Sequence, residues 1–160
     1  GRLPEGLAWR LPGEAEWAYA CRGGREGTKF WWGDSLADGR GRLNGAGTDK
    51  FATGAQFNAK YLWEDGYAYT APCDAYGMRG RNGFGLSDIL GNVWEWCEDG
   101  YDASGPHAEI WTVEASRRVL RGGSFRARPG GLRCAYRVGD SPSYAHAYYG
   151  FRLCLGRSVP

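Results

Sequence analysis

The sequence has no apolar run of 18 residues or more, so no part of it reads as a membrane-spanning helix. It has no CxxC spacing. Its five cysteines, Cys21, Cys73, Cys97, Cys134 and Cys154, are an odd number, which argues against a complete disulfide framework and against a zinc site while leaving one unassigned pair open. It also has no block of like charge. Twenty Lys and Arg against 18 Asp and Glu give a formal net charge of +2, the arginines are scattered, and nucleic acid is not an expected partner. The first residues, Gly1-Arg2-Leu3-Pro4-Glu5-Gly6, lack the charged and apolar regions of a signal peptide, so the expectation is a soluble chain of unassigned compartment, cytoplasmic or surface-displayed. Histidine is scarce: His107 and His146 stand apart with no HxxxH spacing, and neither is expected to bind a metal. Hydrolysis has no residue-level support either, because neither a nucleophile elbow nor a Ser/His/Asp order occurs.

Glycine and tryptophan are abundant instead, with 27 and 8 copies in 160 residues. The length suits one domain with one sizeable core. Glycine at this density implies many turns, since it takes positive φ without steric cost, and the aromatics must then supply much of the core. Pro12-Gly13-Glu14-Ala15-Glu16-Trp17-Ala18-Tyr19-Ala20-Cys21 reads as a short helix with acids in its first turn, Gly23-Gly24 as its stop, and Trp17, Ala20 and Cys21 on its apolar face. From Arg25 to about Gly83 periodicity is weak, which predicts long loops pinned by aromatics such as Phe30, Trp31, Trp32, Tyr61, Trp63, Tyr67 and Tyr69. Asn92-Val93-Trp94-Glu95-Trp96-Cys97 alternates as a strand, with Val93, Glu95 and Cys97 on one face and the tryptophans on the other. Three more strand-like runs follow, Arg118 to Arg121, Leu132 to Arg137 and Gly150 to Leu155. The expected class is α+β, with short late strands and much irregular structure.

Four separated motifs carry a resemblance: Arg10-Leu11-Pro12-Gly13-Glu14-Ala15-Glu16-Trp17, Phe84-Gly85-Leu86-Ser87-Asp88-Ile89-Leu90-Gly91-Asn92-Val93-Trp94-Glu95-Trp96, Arg118-Val119-Leu120-Arg121-Gly122-Gly123-Ser124 and Gly150-Phe151-Arg152. In this order they resemble the formylglycine-generating-enzyme, or sulfatase-modifying-factor, family, with Gly13 a departure where threonine is frequent. The resemblance implies a C-type-lectin-like fold of the formylglycine-generating-enzyme type, with residues 1–160 as the C-terminal portion of one such domain and a further N-terminal portion of the same domain missing. It also implies structural calcium at two sets of positions. One is Asp88, Gly91, Val93 and Glu95, two side chains and two carbonyls. The other is Asn58, Ala59, Asp65 and Tyr67, at a shorter spacing than in the family. Ca²⁺ takes such mixtures of carboxylate and carbonyl oxygens. The competing reading pairs Glu95 with an arginine and lets Asp88 cap a turn.

The family's oxidase chemistry uses two cysteines in the loop after Arg-Gly-Gly-Ser, as soft Cu(I) ligands. Here that loop reads Phe125-Arg126-Ala127-Arg128-Pro129-Gly130-Gly131-Leu132, shorter and without a cysteine, Ala127 standing about where the first thiol belongs. No copper and no catalysis are therefore expected. Cys134 and Cys154 fall in strand-like runs, where a free cysteine acts as a small hydrophobe. A sulfoxide-synthase type of relative would need an iron-binding histidine motif that this chain does not contain.

Between about 118 and 152 a fixed frame holds unlike inserts. The frame is Arg118 to Ser124, Pro129, Leu132-Arg133, Ala135, Arg137, Pro142 and Gly150-Phe151-Arg152. The inserts are Phe125, Arg126, Ala127, Arg128, Gly130, Gly131, Tyr136, Val138, Gly139, Asp140, Ser141, Ser143, Tyr144, His146, Ala147 and Tyr148. This layout resembles the variable region of proteins diversified by retroelements, where mutagenesis at template adenines alters scattered codons of a C-type-lectin-like binding domain. Mutated asparagine codons do not reach Trp, Lys, Glu, Gln or Met, and the inserts contain none of these. Tyrosines supply rigid amphipathic contact area, Gly and Ser adaptable hydrogen bonding, and Arg126, Arg128 and Asp140 directional charge. Tyr149, beside Gly150-Phe151-Arg152, is expected in the core. The function expected is a non-catalytic domain binding a protein or surface-glycan ligand; the alternative is an oxidoreductase of the formylglycine-generating or sulfoxide-synthase type, or its subunit.

Overall fold

The structure is a computed structural model that describes residues 3–45, 63–106 and 115–157. Its first strand, β1 (Leu7–Arg10), leads into the helix α1 (Glu14–Arg22). Both ends of α1 are held by identifiable groups. Gly13 has no side chain with which to cap it; Glu16, in the helix's own first turn, accepts from the Gly13 N–H at 2.7 Å, and Asp99 accepts from the Glu14 N–H at 2.6 Å. Gly23 stops the helix in the left-handed region at φ 58°, its N–H returning to the Ala20 carbonyl at 3.3 Å. The buried face of α1 is Trp17, Cys21 and also Glu14, while Ala20 is only half-buried.

Four strands form the main sheet: β2 (Trp94–Gly100), β3 (Arg118–Arg121), β4 (Arg137–Asp140) and β5 (Tyr149–Gly150), in the order β4-β3-β2-β5. The β2/β3 and β3/β4 pairs are antiparallel, and β5 joins β2 in parallel with Trp94 opposite Tyr149. A separate two-stranded ribbon pairs β1 with β6 (Cys154–Arg157), Trp9 lying opposite Leu155. The alternation expected along β2 is present: Glu95, Cys97 and Asp99 are buried and the two tryptophans half-exposed. Trp17, Leu43, Ile89, Leu90, Val119, Leu120 and Leu132 fill the centre, each at most 1 % exposed.

Two strand expectations need correction. Residues 132–136 are not a strand; a 3₁₀ turn spans Pro129–Leu132 and extended pairing begins at Arg137. The reason is that the backbone groups there are already taken, the Cys134 N–H by the Lys29 carbonyl and the Cys134 and Tyr136 carbonyls by the Arg121 guanidinium. The run from Gly150 to Leu155 likewise divides into the end of β5 and the start of β6, with Arg152 between them turned toward Glu95. The ribbon strand β1 was not foreseen at all, being only four residues long. The loop expectation for 25–83 agrees with the described residues, which hold only a 3₁₀ turn at Ala37–Gly39 and one helical turn, α2 (Gly77–Gly80). Phe30 stacks on Trp32 at 4.8 Å, and Trp31 meets Trp32 edge-on at 5.1 Å.

Candidate functional site

Beneath the turn-rich C-terminal segment lies a set of buried charges. Glu14, on α1 and 2 % exposed, receives two hydrogen bonds at 2.7 Å from Arg137 of β4, and Arg121 Nε of β3 stands 3.5 Å from the same carboxylate. The Arg121 guanidinium also lies 5.0 Å over the Trp17 ring and donates to the Cys134 and Tyr136 carbonyls. Burial pulls its pKa down, opposed chiefly by the Glu14 charge. Two arginines on adjacent strands thus tie the helix to the sheet and hold the start of the loop after the 3₁₀ turn. Charge-assisted bonds of this kind fix geometry as well as contributing energy.

A second buried pair occupies the first of the two sets of positions expected to hold calcium. Arg152 donates to both oxygens of Glu95 at 2.6 Å and to the Ser87 carbonyl at 3.2 Å, while Trp17 Nε1 donates to Glu95 at 2.7 Å. Asp88 sits in the left-handed region at φ 55° and accepts from the Asp74 N–H at 2.8 Å. Of the oxygens expected to surround a cation, those of Glu95 thus receive a guanidinium. A dication placed among Asp88, Gly91, Val93 and Glu95 would share the Glu95 carboxylate with the Arg152 guanidinium. Of the second set, Asn58 and Ala59 lie outside the described residues. Asp65 accepts from the Gly45 and Tyr67 N–H groups at 2.8 Å, one per oxygen. Among the described residues no cluster of three or more His, Cys, Asp or Glu is placed to hold a metal. His107 lies outside the described residues, and His146 is engaged with aromatic rings.

The inserts lie above this frame. Arg126, Arg128, Gly130, Ser143, Tyr144, His146 and Ala147 are exposed; Ala127, Gly131, Tyr136, Val138, Asp140, Ser141 and Tyr148 are half-buried. Phe125 and Gly139 depart from expectation, because both are buried. Phe125 packs edge-on against Tyr69 at 6.0 Å. Gly139 lies against the Tyr101 ring so closely that a Cβ there would sit 2.2 Å from it, so this position rejects side chains that a variable codon supplies. At Gly130 a Cβ meets nothing within 4 Å, and at Gly131 only ordinary contacts.

The aromatic inserts converge. His146 stacks on Tyr148 at 4.8 Å and meets Tyr144 at 6.2 Å, and Arg126 lies 5.1 Å over Tyr148. Tyr149 ties this group to the sheet: its ring contacts His146, Tyr148 and Trp96, and its hydroxyl donates to Asp140 at 2.6 Å. That bond holds the Asp140 carboxyl below its ordinary range, while burial and the adjacent carboxylate push the Tyr149 hydroxyl up. Tyr149, expected in the core, is only half-buried and packs between Trp96 and the inserts His146 and Tyr148. Tyr136 continues the surface through Trp94 at 6.0 Å, and the Trp94 N–H donates to the Tyr148 carbonyl. Trp94 and Trp96 were not expected to belong to this surface. Their outward position on β2 was the available signal. A cleft of about 250 Å³ opens beside Trp96, lined by Leu11, Cys97, Glu98, Arg118 and Pro142. It is smaller than the ~300–1,000 Å³ usual for small-molecule sites, and the site is a surface rather than a deep pocket.

The sulfatase-modifying factor enzyme 1-like domain matches residues 1–156. The chain belongs to that family. It is 39 % identical over 153 residues to a formylglycine-generating enzyme of Streptomyces coelicolor, covering 89 % of this chain and 45 % of the relative. It is 34 % identical over 161 residues to the inactive C-alpha-formylglycine-generating enzyme 2 of Bos taurus, covering 96 % and 47 %. Among solved structures, Treponema denticola variable protein 1 superposes with a TM-score of 0.71 at 28 % identity, over 94 % of this chain and 48 % of that one. PvdO from Pseudomonas aeruginosa gives 0.65 at 26 %, over 92 % and 52 %. The chain spans about half the length of these relatives. The short helices, curled sheet and long loops are those of the C-type-lectin-like fold of this family.

Within that family the loop after Arg121-Gly122-Gly123-Ser124 is where thiol chemistry is expected. Here its Ala127 N–H returns to the Ser124 carbonyl in a tight turn, and the Ala127 side chain packs on the core. All five cysteines are free; Cys21, Cys97 and Cys134 are buried, Cys154 is half-buried and Cys73 exposed. Burial pushes the thiols of Cys21 and Cys97 well up, while a hydrogen bond with Cys21 draws the Cys134 thiol down. No helix among the described residues is long and apolar enough to cross a membrane.

Proposed function

We propose that this chain is a non-catalytic ligand-binding domain whose frame is invariant and whose insert side chains are diversified by a retroelement. The observation that carries the reading is the convergence of Arg126, Tyr144, His146 and the half-buried Tyr148 into one group of contacting side chains. Rigid aromatics joined to Gly and Ser are the composition of paratopes, and a shallow surface of this kind favours a protein or surface-glycan ligand. The likeness to a variable protein supports the reading, as does an inactive relative within the family. Binding of sugar does not follow from the fold.

The DNA beside the gene supplies the test. The proposal expects a reverse transcriptase and a near-copy of the segment encoding 118–152 with adenines at the insert codons, excluding those of Phe125 and Gly139. Cu(I) binding together with oxidation of a sulfatase-type cysteine peptide would overturn it in favour of the oxidoreductase alternative. Calcium bracing at Asp88, Gly91, Val93 and Glu95 and at Asn58, Ala59, Asp65 and Tyr67 belongs to this reading. A calcium-dependent rise in Tm, lost in Asp65→Ala, supports it, and an unchanged Tm in millimolar calcium removes it.

A further inference from the structure

The loop between the last two strands of the main sheet crosses that sheet from edge to edge. In the order β4-β3-β2-β5 the strands β4 and β5 are the outermost two, and residues 141–148 connect them. This loop carries the inserts Ser141, Ser143, Tyr144, His146, Ala147 and Tyr148. Residues 142–147 are exposed throughout. Its backbone bonds include two local turns, from the Tyr144 N–H to the Ser141 carbonyl at 2.9 Å and from the Tyr149 N–H to the His146 carbonyl at 3.1 Å. Turns open to water in this way do not by themselves hold a loop in one conformation.

A side-chain bond spans the loop instead. Asp140 ends β4 and Tyr149 begins β5, and the Tyr149 hydroxyl donates to one Asp140 oxygen at 2.6 Å while the other oxygen accepts from the Ser141 N–H at 2.8 Å. The Tyr149 ring is fixed in turn, edge-on to Trp96 of β2 at 5.4 Å and in contact with His146 and Tyr148 of the loop. An O–H···O⁻ bond of this length is of the strong, charge-assisted kind. Its two partners differ in standing, since Tyr149 lies outside the inserts and Asp140 is one of them.

We infer that Asp140 and Tyr149 form a clasp that holds the insert loop 141–148 in one conformation, and that the residue at insert position 140 thereby sets the rigidity of the patch. The use of the clasp rests on the proposed reading of the patch as a ligand-binding surface. Aspartate at 140 supplies the acceptor that the phenol needs, whereas glycine, alanine or valine supplies none and frees the loop. Variation at this one position therefore changes how the loop moves rather than what it touches. A clasped loop has less freedom to lose on binding and releases its ligand more slowly, and an unclasped loop adapts to more ligand shapes. Tyr149 is then a positioning residue for the patch, acting through Asp140.

Hydrogen exchange read without ligand tests the clasp. Tyr149→Phe keeps the ring and removes the hydroxyl, and Asp140→Ala removes the acceptor. Amides of 141–148 are expected to exchange about tenfold faster or more in each variant, while those of 94–100 keep the wild-type rate. The double variant should exchange no faster than Asp140→Ala, because the two substitutions break one shared bond. If Tyr149 served packing alone, Tyr149→Phe would exchange as the wild type does, and that result overturns the inference. Rate increases that multiply in the double variant, or that extend equally to 94–100, also overturn it. Should Tyr149→Phe fail to fold, the rate in Asp140→Ala decides alone. Because no ligand enters the measurement, its failure strikes the clasp and leaves the binding reading to its own test in the neighbouring DNA.

Discussion

The buried frame and the insert patch contain similar residue types and use them in opposite ways. Arg121, Arg137 and Arg152 are enclosed, each aimed at a carboxylate or carbonyl at a fixed distance. Arg126 and Arg128 are exposed, the former lying over a tyrosine. Trp17 spends its N–H on Glu95, whereas Tyr144 leaves 57 % of itself in solvent. The contrast sets a few desolvated charge pairs, costly to break singly, against exposed side chains that on the proposed reading contribute little to folding.

The comparison breaks most visibly at Glu95. Glu95→Ala leaves Arg152 and the Trp17 N–H without their acceptor in a buried place, and urea unfolding should show a loss of about 3–5 kcal/mol. A loss under about 1 kcal/mol, the scale of exposed pairs, would place the pair with the surface. Gly139→Ala tests the border between the regions. Its Cβ collides with the Tyr101 ring, with an expected cost of about 1–3 kcal/mol, against a change within about 0.5 kcal/mol for Gly130→Ala. Tyr144→Ala should likewise leave stability within about 0.5 kcal/mol while weakening ligand binding by tenfold or more, on the order of 1.4 kcal/mol, in a titration with the selected ligand.

The smallest effect is a pH dependence. The Tyr149 hydroxyl holds the Asp140 carboxyl below its unfolded range. Because the folded value is the lower one, the carboxylate's contribution is complete above the unfolded range, about pH 4, and fades as pH falls through the folded value. The gap in Tm between the wild type and Asp140→Asn should therefore be widest near neutrality and close in acid. A gap that widens in acid contradicts the bond as described.

Much of this was legible in residue order. Alternation at 92–97 gave β2 and placed Glu95 inward, and proline, paired acids and Gly23 gave α1. The motif arginines marked the frame without revealing their partners, because Glu14 and Arg137 are 123 residues apart and no local pattern links them. The Arg152 partner of Glu95 was hidden for the same reason, since it reaches that position from 57 residues beyond Glu95. Phe125 and Gly139 sat among variable-looking neighbours, and only the Tyr69 and Tyr101 rings packed against them show that they belong to the interior. Alternation at 151–157 was readable, but which side faced solvent depended on where Arg152 and Cys154 found partners.

Stability across a library randomised at Arg126, Arg128, Gly130, Gly131, Ser143, Tyr144, His146 and Ala147, read by resistance to protease, tests the division most directly. The account predicts that most members stay as resistant as the parent chain, while a matched library at Glu14, Glu95, Arg121, Arg137 and Arg152 loses resistance almost throughout. Comparable losses in the two libraries would contradict it.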